Sequence, residues 1–177
     1  MSARLQIYQI PQFLARYNRD HNGEDDDLVE RRARIRGDGK MNFADLCAVC
    51  DWKAPRAAGH ARKNRNIEVQ EITSLAFSAR SERVRVEVLQ LLHGVSYPTA
   101  SVILHFYHTE AYPILDFRAL WSMRLPQPAR YTFDFWWRYV EACREMFARA
   151  RQRLPKLSMR EFDRALWQHS YERQRAG

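Results

Sequence analysis

The chain has 177 residues, a formal net charge of +8, a sequence pI of about 9.7 and 46% apolar residues. That length suits one domain, or one core with an appended helical layer, and the composition excludes collagen-like, low-complexity and disulfide-scaffold proteins. The positive balance points to a polyanionic partner, because each neutralised phosphate releases condensed counterions, although a merely soluble basic protein has the same charge.

In chain order, helical patterning recurs without strand alternation. Residues 1–11 hold no apolar stretch of signal-peptide length, and Pro11 can open a first helix whose face carries Phe13, Leu14 and Tyr17. An acidic loop over 21–27 leads into a helix through Leu28, Arg32 and Ile35, closed by Gly37 and Gly39. A third helix covers 43–52 and stops near Pro55. It contains Cys47 and Cys50, a C-x-x-C with no second pair at zinc-finger spacing, so both cysteines read as small core residues and no metal is expected. Three cysteines cannot all pair, which with the absence of a leader gives a cytoplasmic, cofactor-free expectation.

A basic tract follows over 53–66, with Lys53, Arg56, Arg62, Lys63 and Arg65. Lys40, Lys53, Lys63 and Lys156 are the only lysines, so arginine, which binds phosphate bidentately, carries nearly all the positive charge. Helical spacing resumes at Val69, Ile72, Leu75 and Ala76. Ser81 is placed to cap a helix with Val84, Val88, Leu91 and Leu92 on one face, and further helices fit 99–107, 117–123 and 133–150. Ser158-Met159-Arg160-Glu161 is a capping box opening a last helix with Phe162, Leu166 and Trp167. No linker or repeat interrupts the pattern, so 1–177 reads as a single all-α domain with no membrane span.

The informative stretch is Leu92-His93-Gly94-Val95-Ser96-Tyr97-Pro98-Thr99-Ala100, followed by Tyr112-Pro113-Ile114-Leu115-Asp116. A helix ending at Gly94, a short turn and a second helix from Pro98-Thr99 leave backbone N–H groups pointing outward, which suits a phosphate. Asp116 then closes an apolar strip just ahead of a new helix, where it can be a plain N-cap or a functional carboxylate.

These two segments together resemble the helix-hairpin-helix DNA glycosylases, which include endonuclease III and the mismatch adenine glycosylase. The hairpin corresponds to about 82–107 and the catalytic segment to about 112–121. In that family an aspartate lies eighteen residues after the hairpin position that holds lysine in lyase-active members; here that position is Pro98 and the aspartate is Asp116. The detailed likeness covers about 91–121, and Pro113-Ile114-Leu115-Asp116 is closest to the adenine glycosylases. The chain departs from the family at Ser96, where a second glycine is usual, at Pro98, and in lacking the four-cysteine iron–sulfur motif, since no cysteine follows Cys143.

The resemblance implies a compact, monofunctional glycosylase that hydrolyses the bond between deoxyribose and a damaged or modified base in double-stranded DNA. Asp116 would stabilise the oxocarbenium-like sugar or orient the attacking water. Gly94, Val95, Ser96, Tyr97 and Thr99 would grip the backbone together with Lys53, Arg56, Arg62, Lys63 and Arg65. Trp52, Tyr112 and Trp121 are candidates for a base pocket or wedge, as is Tyr97. His93 and His105 flank the turn, and Asp51 and Glu71 are candidate second acids. The implied chain is a monomer acting in base-excision repair or in antiviral removal of a hypermodified phage base, such as glucosylated hydroxymethylcytosine. A non-catalytic hairpin module that only grips phosphates is the alternative, and a helical protein–protein adaptor a third.

Overall fold

A computed structural model describes residues 3–56 and 58–175, so Ala57 of the basic tract lies outside the described residues. Among them the only regular structure is helical: a 3₁₀ turn Ile7–Gln9, then α1 (Ile10–Asp20), α2 (Asp26–Asp38), α3 (Phe43–Lys53), α4 (Ala58–Ala61), α5 (Asn66–Ser78), α6 (Glu82–Val88), a 3₁₀ turn Leu89–Leu91, α7 (Tyr97–Tyr107), α8 (Phe117–Ser122), α9 (Phe133–Arg153) and α10 (Met159–Arg175). None of these helices is long and apolar enough to cross a membrane. The contacts divide the chain into two compact units. One holds the chain up to Gly23 and from Tyr112 onward, and the other holds Glu24–Ala111.

In the central unit, Glu24–Ala111, α7 is the organising helix. Its residues are buried on every side, as expected of a helix that is apolar all round, and α2, α3 and α6 pack against it. Its last carbonyls have no partners within the helix and are met by two arginines of α2. Arg32 donates to the Phe106 carbonyl at 2.9 Å; Arg36 donates to Tyr107 at 3.2 Å and to His108 at 2.6 Å. Helix α2 is tied to α3 by the buried Asp45 carboxylate, which accepts from Arg31 at 3.1 Å and from Arg34 and also closes the Asn42 capping box of α3.

Three local expectations are corrected. Helix α2 continues through Gly37 and ends only at Gly39, whose φ of +66° supplies the left-handed C-cap. The core face of α6 carries Val86, Leu89 and Leu92, whereas Val84 and Leu91 are exposed. The helix tightens into a 3₁₀ turn at Leu89, so one 3.6-residue period does not run through the whole segment. On α5 the buried positions are Val69, Thr73 and Ala76, and Leu75 is exposed.

In the other unit, α10 packs against α1 and α8. The Ser158–Glu161 capping box forms as the sequence predicts, with bonds of 2.7 Å and 3.2 Å. Where α8 meets α10, the Ser122 hydroxyl donates to the Leu166 carbonyl at 2.6 Å and lies 2.9 Å from His169 Nδ1. The single hydroxyl hydrogen is used on Leu166, so Nδ1 of His169 carries the hydrogen of that second contact. Burial, and then the charge of Arg173, lower the His169 pKa from 6.5 to about 4.

The unfolded chain therefore takes up a proton near pH 6.5 that the folded protein refuses until about pH 4. Stability from this group is intact above pH 6.5 and is lost as pH falls toward 4, by at most about 1.4 kcal/mol per pH unit. Urea midpoints measured from pH 7 to pH 4 are expected to fall more steeply for the parent protein than for His169→Gln. Equal slopes would show that His169 does not carry this acid sensitivity.

Candidate functional site

The turn between the 3₁₀ segment Leu89–Leu91 and α7 is built against the basic tract of the same unit. Gly94 has φ +84°, and a Cβ placed there would lie 2.9 Å from the backbone nitrogen of Ala61. Both the left-handed backbone and the close approach therefore require glycine. Asn64, buried between Lys63 and Arg65, completes the lock. Its Oδ1 accepts from the His93 N–H at 2.8 Å, and its Nδ2 donates to the carbonyls of His93 at 2.9 Å and Ala61 at 2.8 Å. One amide thus holds the basic tract to the turn as a paired strand would.

Exposed cations project from that joined surface: Arg56, Arg62, Lys63 and Arg65, with His60 and His93 beside them. Arg62 lies 3.4 Å from Asp51, and Arg65 is held at 2.9 Å by Glu68 within the capping box of α5. Surface pairs of this kind contribute at most about 1 kcal/mol, so an incoming phosphate can displace them. Lys53 is half-buried at the end of α3.

Within the turn the side chains divide. Ser96 is exposed and makes no side-chain cap bond, so in the first turn of α7 the Tyr97 and Thr99 N–H groups receive no side-chain cap from it, and Pro98 has no N–H. Val95, Tyr97 and Thr99 are buried. The Val95 N–H is already given to the Leu92 carbonyl at 3.1 Å, and the Tyr97 hydroxyl donates to Glu87 at 3.0 Å. These three pack the hairpin, and any backbone grip falls to Gly94, Ser96 and the start of α7. His105 is buried edge-on to Phe106. Cys50 is buried below the turn, its thiol directed at the Gly94 carbonyl, and burial pushes its pKa up to about 12. Trp52 is half-buried, with its indole N–H donating to the Glu24 carbonyl at 3.0 Å and its ring edge-on to Phe106. Glu71 is exposed on α5.

Asp116 belongs to the other unit. The strip before it, Tyr112 to Leu115, is buried but in no helix, so its backbone polar groups need side-chain partners. The Ile114 N–H donates to Asp163 of α10 at 3.1 Å, and the Ile114 carbonyl accepts from the Tyr139 hydroxyl of α9 at 2.6 Å. Arg160 fixes Asp163 at 2.9 Å. From this clamped strip the half-buried Asp116 emerges as N-cap of α8, its Oδ1 accepting the Arg118 N–H at 2.9 Å. Tyr131 lies within electrostatic reach: burial and then the Asp116 charge raise its phenol above the usual value.

The aromatic candidates of this unit separate. Tyr112 is fully buried, stacked on Trp136 with centroids 6.0 Å apart and covered by the Arg144 guanidinium at 4.6 Å. It is a core residue, and no ring face is left for a base. Trp121 is half-buried with Arg4 over its ring at 4.5 Å and His169 beside it.

No family model, no curated protein and no solved structure matches the chain. The site therefore rests on its own residues. Asn64, Asp163 and Tyr139 escape the sequence because their importance lies in partners 29, 49 and 25 positions away. Tyr131, fifteen residues beyond Asp116, carries no local signal either.

The lock between tract and turn is directly testable. Gly94→Ala strains the turn and pushes its Cβ into the Ala61 backbone, a combined loss of about 2–4 kcal/mol. Asn64→Ala strands the His93 N–H and is expected to lose about 2–3 kcal/mol. Asn64→Asp should rescue little, because it turns an oxygen toward two carbonyls. Guanidinium titrations of the three variants check this; an Asn64→Asp protein as stable as the parent would refute the assigned amide orientation.

Proposed function

We propose that this protein is a monofunctional DNA glycosylase, a helix-hairpin-helix enzyme that hydrolyses the N-glycosidic bond of a damaged or modified base in duplex DNA and leaves an abasic site. The single observation that carries this reading is the construction around Asp116. A half-buried carboxylate stands at the end of a backbone strip clamped from two helices, as a preorganised electrostatic group requires. The locked turn and its cations support it as the surface that holds the phosphate backbone.

Breaking the bond places positive charge on the sugar while the base departs with the bonding electrons. The Asp116 carboxylate stabilises that charge and orients a water toward the sugar carbon. Its Oδ1 also accepts the Arg118 N–H, which holds the carboxylate in place. The base must first leave the stack, which costs a few kcal/mol and is easiest for a damaged or mispaired base. Pro98 stands where the lyase lysine would be and has no nucleophile, so no Schiff base forms there and the strand stays intact.

The cap hydrogen bond also favours a second reading, a non-catalytic phosphate-gripping module in which Asp116 only starts α8. Asparagine caps a helix about as well as aspartate but carries no charge, so one substitution separates the two. Asp116→Asn is expected to keep the melting temperature and DNA affinity of the parent while base release falls at least about a hundredfold. The readout is alkali cleavage of duplexes carrying alkylated, oxidised, deaminated or glucosylated bases. Release undiminished in Asp116→Asn would remove Asp116 from the chemistry; no release from any duplex by the parent would favour the module.

The same duplexes test the absence of a lyase step. Treatment with borohydride during turnover is expected to trap no covalent adduct, and strands are expected to break only after alkali. A trapped adduct would require one of the four lysines as nucleophile, with Lys53 the first to replace.

A further inference from the structure

Directly after Asp116, α8 presents Phe117 and Arg118. Phe117 is 47% exposed, a large apolar side chain left to solvent beside Arg118. The Arg118 guanidinium lies 4.9 Å from the Phe117 ring, 5.1 Å from Trp167 and 5.1 Å from Tyr171. Trp167 and Tyr171, one turn apart on α10, are nearly parallel, with centroids 4.9 Å apart and planes at 16°. Arg175, a further turn along, sits over Tyr171 at 4.8 Å and donates to its hydroxyl. Among the described residues no carboxylate pairs with Arg118 or Arg175. Most other buried or half-buried arginines here, such as Arg31, Arg85 and Arg160, are neutralised by one.

We infer that Phe117 and Arg118, backed by Trp167 and Tyr171, form a stacking platform for one unpaired nucleotide of the DNA strand. The chemistry selects this ligand. Cation–π contact holds the guanidinium against the rings and uses none of its N–H donors, which suit an anion. An exposed phenyl ring beside that edge offers a face to any nucleobase, and base–aromatic stacking tolerates every sequence. A nucleotide has both parts, an anionic phosphate and a flat base, whereas an acidic peptide uses only the first. The inference extends the proposed function by giving its DNA partner a single-stranded contact, and it rests on DNA being the partner.

The test is binding of a fluorescein-labelled twelve-nucleotide oligothymidylate, followed by anisotropy across a salt series. Phe117→Ala is expected to weaken binding about tenfold or more at unchanged salt slope, because it removes stacking and no charge. Arg118→Gln is expected to weaken binding and flatten the slope by about 0.7, the value for one phosphate contact on a single strand. Circular dichroism melts establish that both variants are folded. The platform is overturned if folded Phe117→Ala binds like the parent, or if polyglutamate of matched charge competes as well as unlabelled oligothymidylate. Base release is measured separately. A protein that releases no base yet binds through Phe117 keeps the platform and loses the glycosylase; one that releases base with no effect of Phe117→Ala on the oligonucleotide does the reverse.

Discussion

A buried backbone segment outside regular structure must have its polar groups satisfied by side chains, and in this protein that constraint falls on Ile114. Its N–H and carbonyl are taken by Asp163 and Tyr139, which come from two different helices. Each unmatched group would lose about 1–3 kcal/mol, so the strip cannot slide without breaking both. Asp116 inherits that fixity two residues later. A carboxylate on an exposed loop would move with its loop; this one is set by α9 and α10 before it makes any contact of its own.

The charge of the chain divides in a way that net charge conceals. Arg32 and Arg36 are spent on the C-terminal carbonyls of α7, Arg31 and Arg34 on Asp45, Arg85 on Glu82 and the Ala79 carbonyl, and Arg160 on Asp163. These are structural donors: an Arg fork reaches carbonyls and carboxylates that a lysine would meet with one point charge. Part of the remaining positive charge lies on residues 56–65 around the locked turn, and part on Arg118 and Arg175 around the aromatic rings of the other unit.

Helices were legible in the sequence because their signals are local. Asn42, Ser81, Asp116, Thr132 and Ser158 each stand at a helix start, where a short oxygen side chain meets the first free N–H groups. The glycine at 94 and the aspartate at 116 were legible as positions. Their partners were not: nothing in Lys63-Asn64-Arg65 marks the asparagine rather than its charged neighbours as the residue that fixes the loop. Tyr112 misled for the complementary reason. An aromatic residue next to a candidate carboxylate looks like a stacking partner, but the whole strip from Tyr112 to Leu115 is buried and this side chain packs in the core against Trp136. The boundaries at Gly23 and Tyr112 carried no linker composition, and one unit is assembled from both ends of the chain, which no local signal reveals.

Capping and charge are separable demands on Asp116, and the fold treats them separately. The other helix starts show how little a cap alone requires: Ser81 and Thr132 do it with neutral hydroxyls at 3.5 Å and 3.3 Å, and Ser96 starts the longest buried helix of its unit with no side-chain cap at all. A negative charge at 116 is therefore more than the start of a six-residue helix needs. The Arg118 guanidinium, two residues away, is held against three aromatic rings. What position 116 adds to the cap is a carboxylate held in place by the clamped strip, and what position 118 adds is a cation held on the rings.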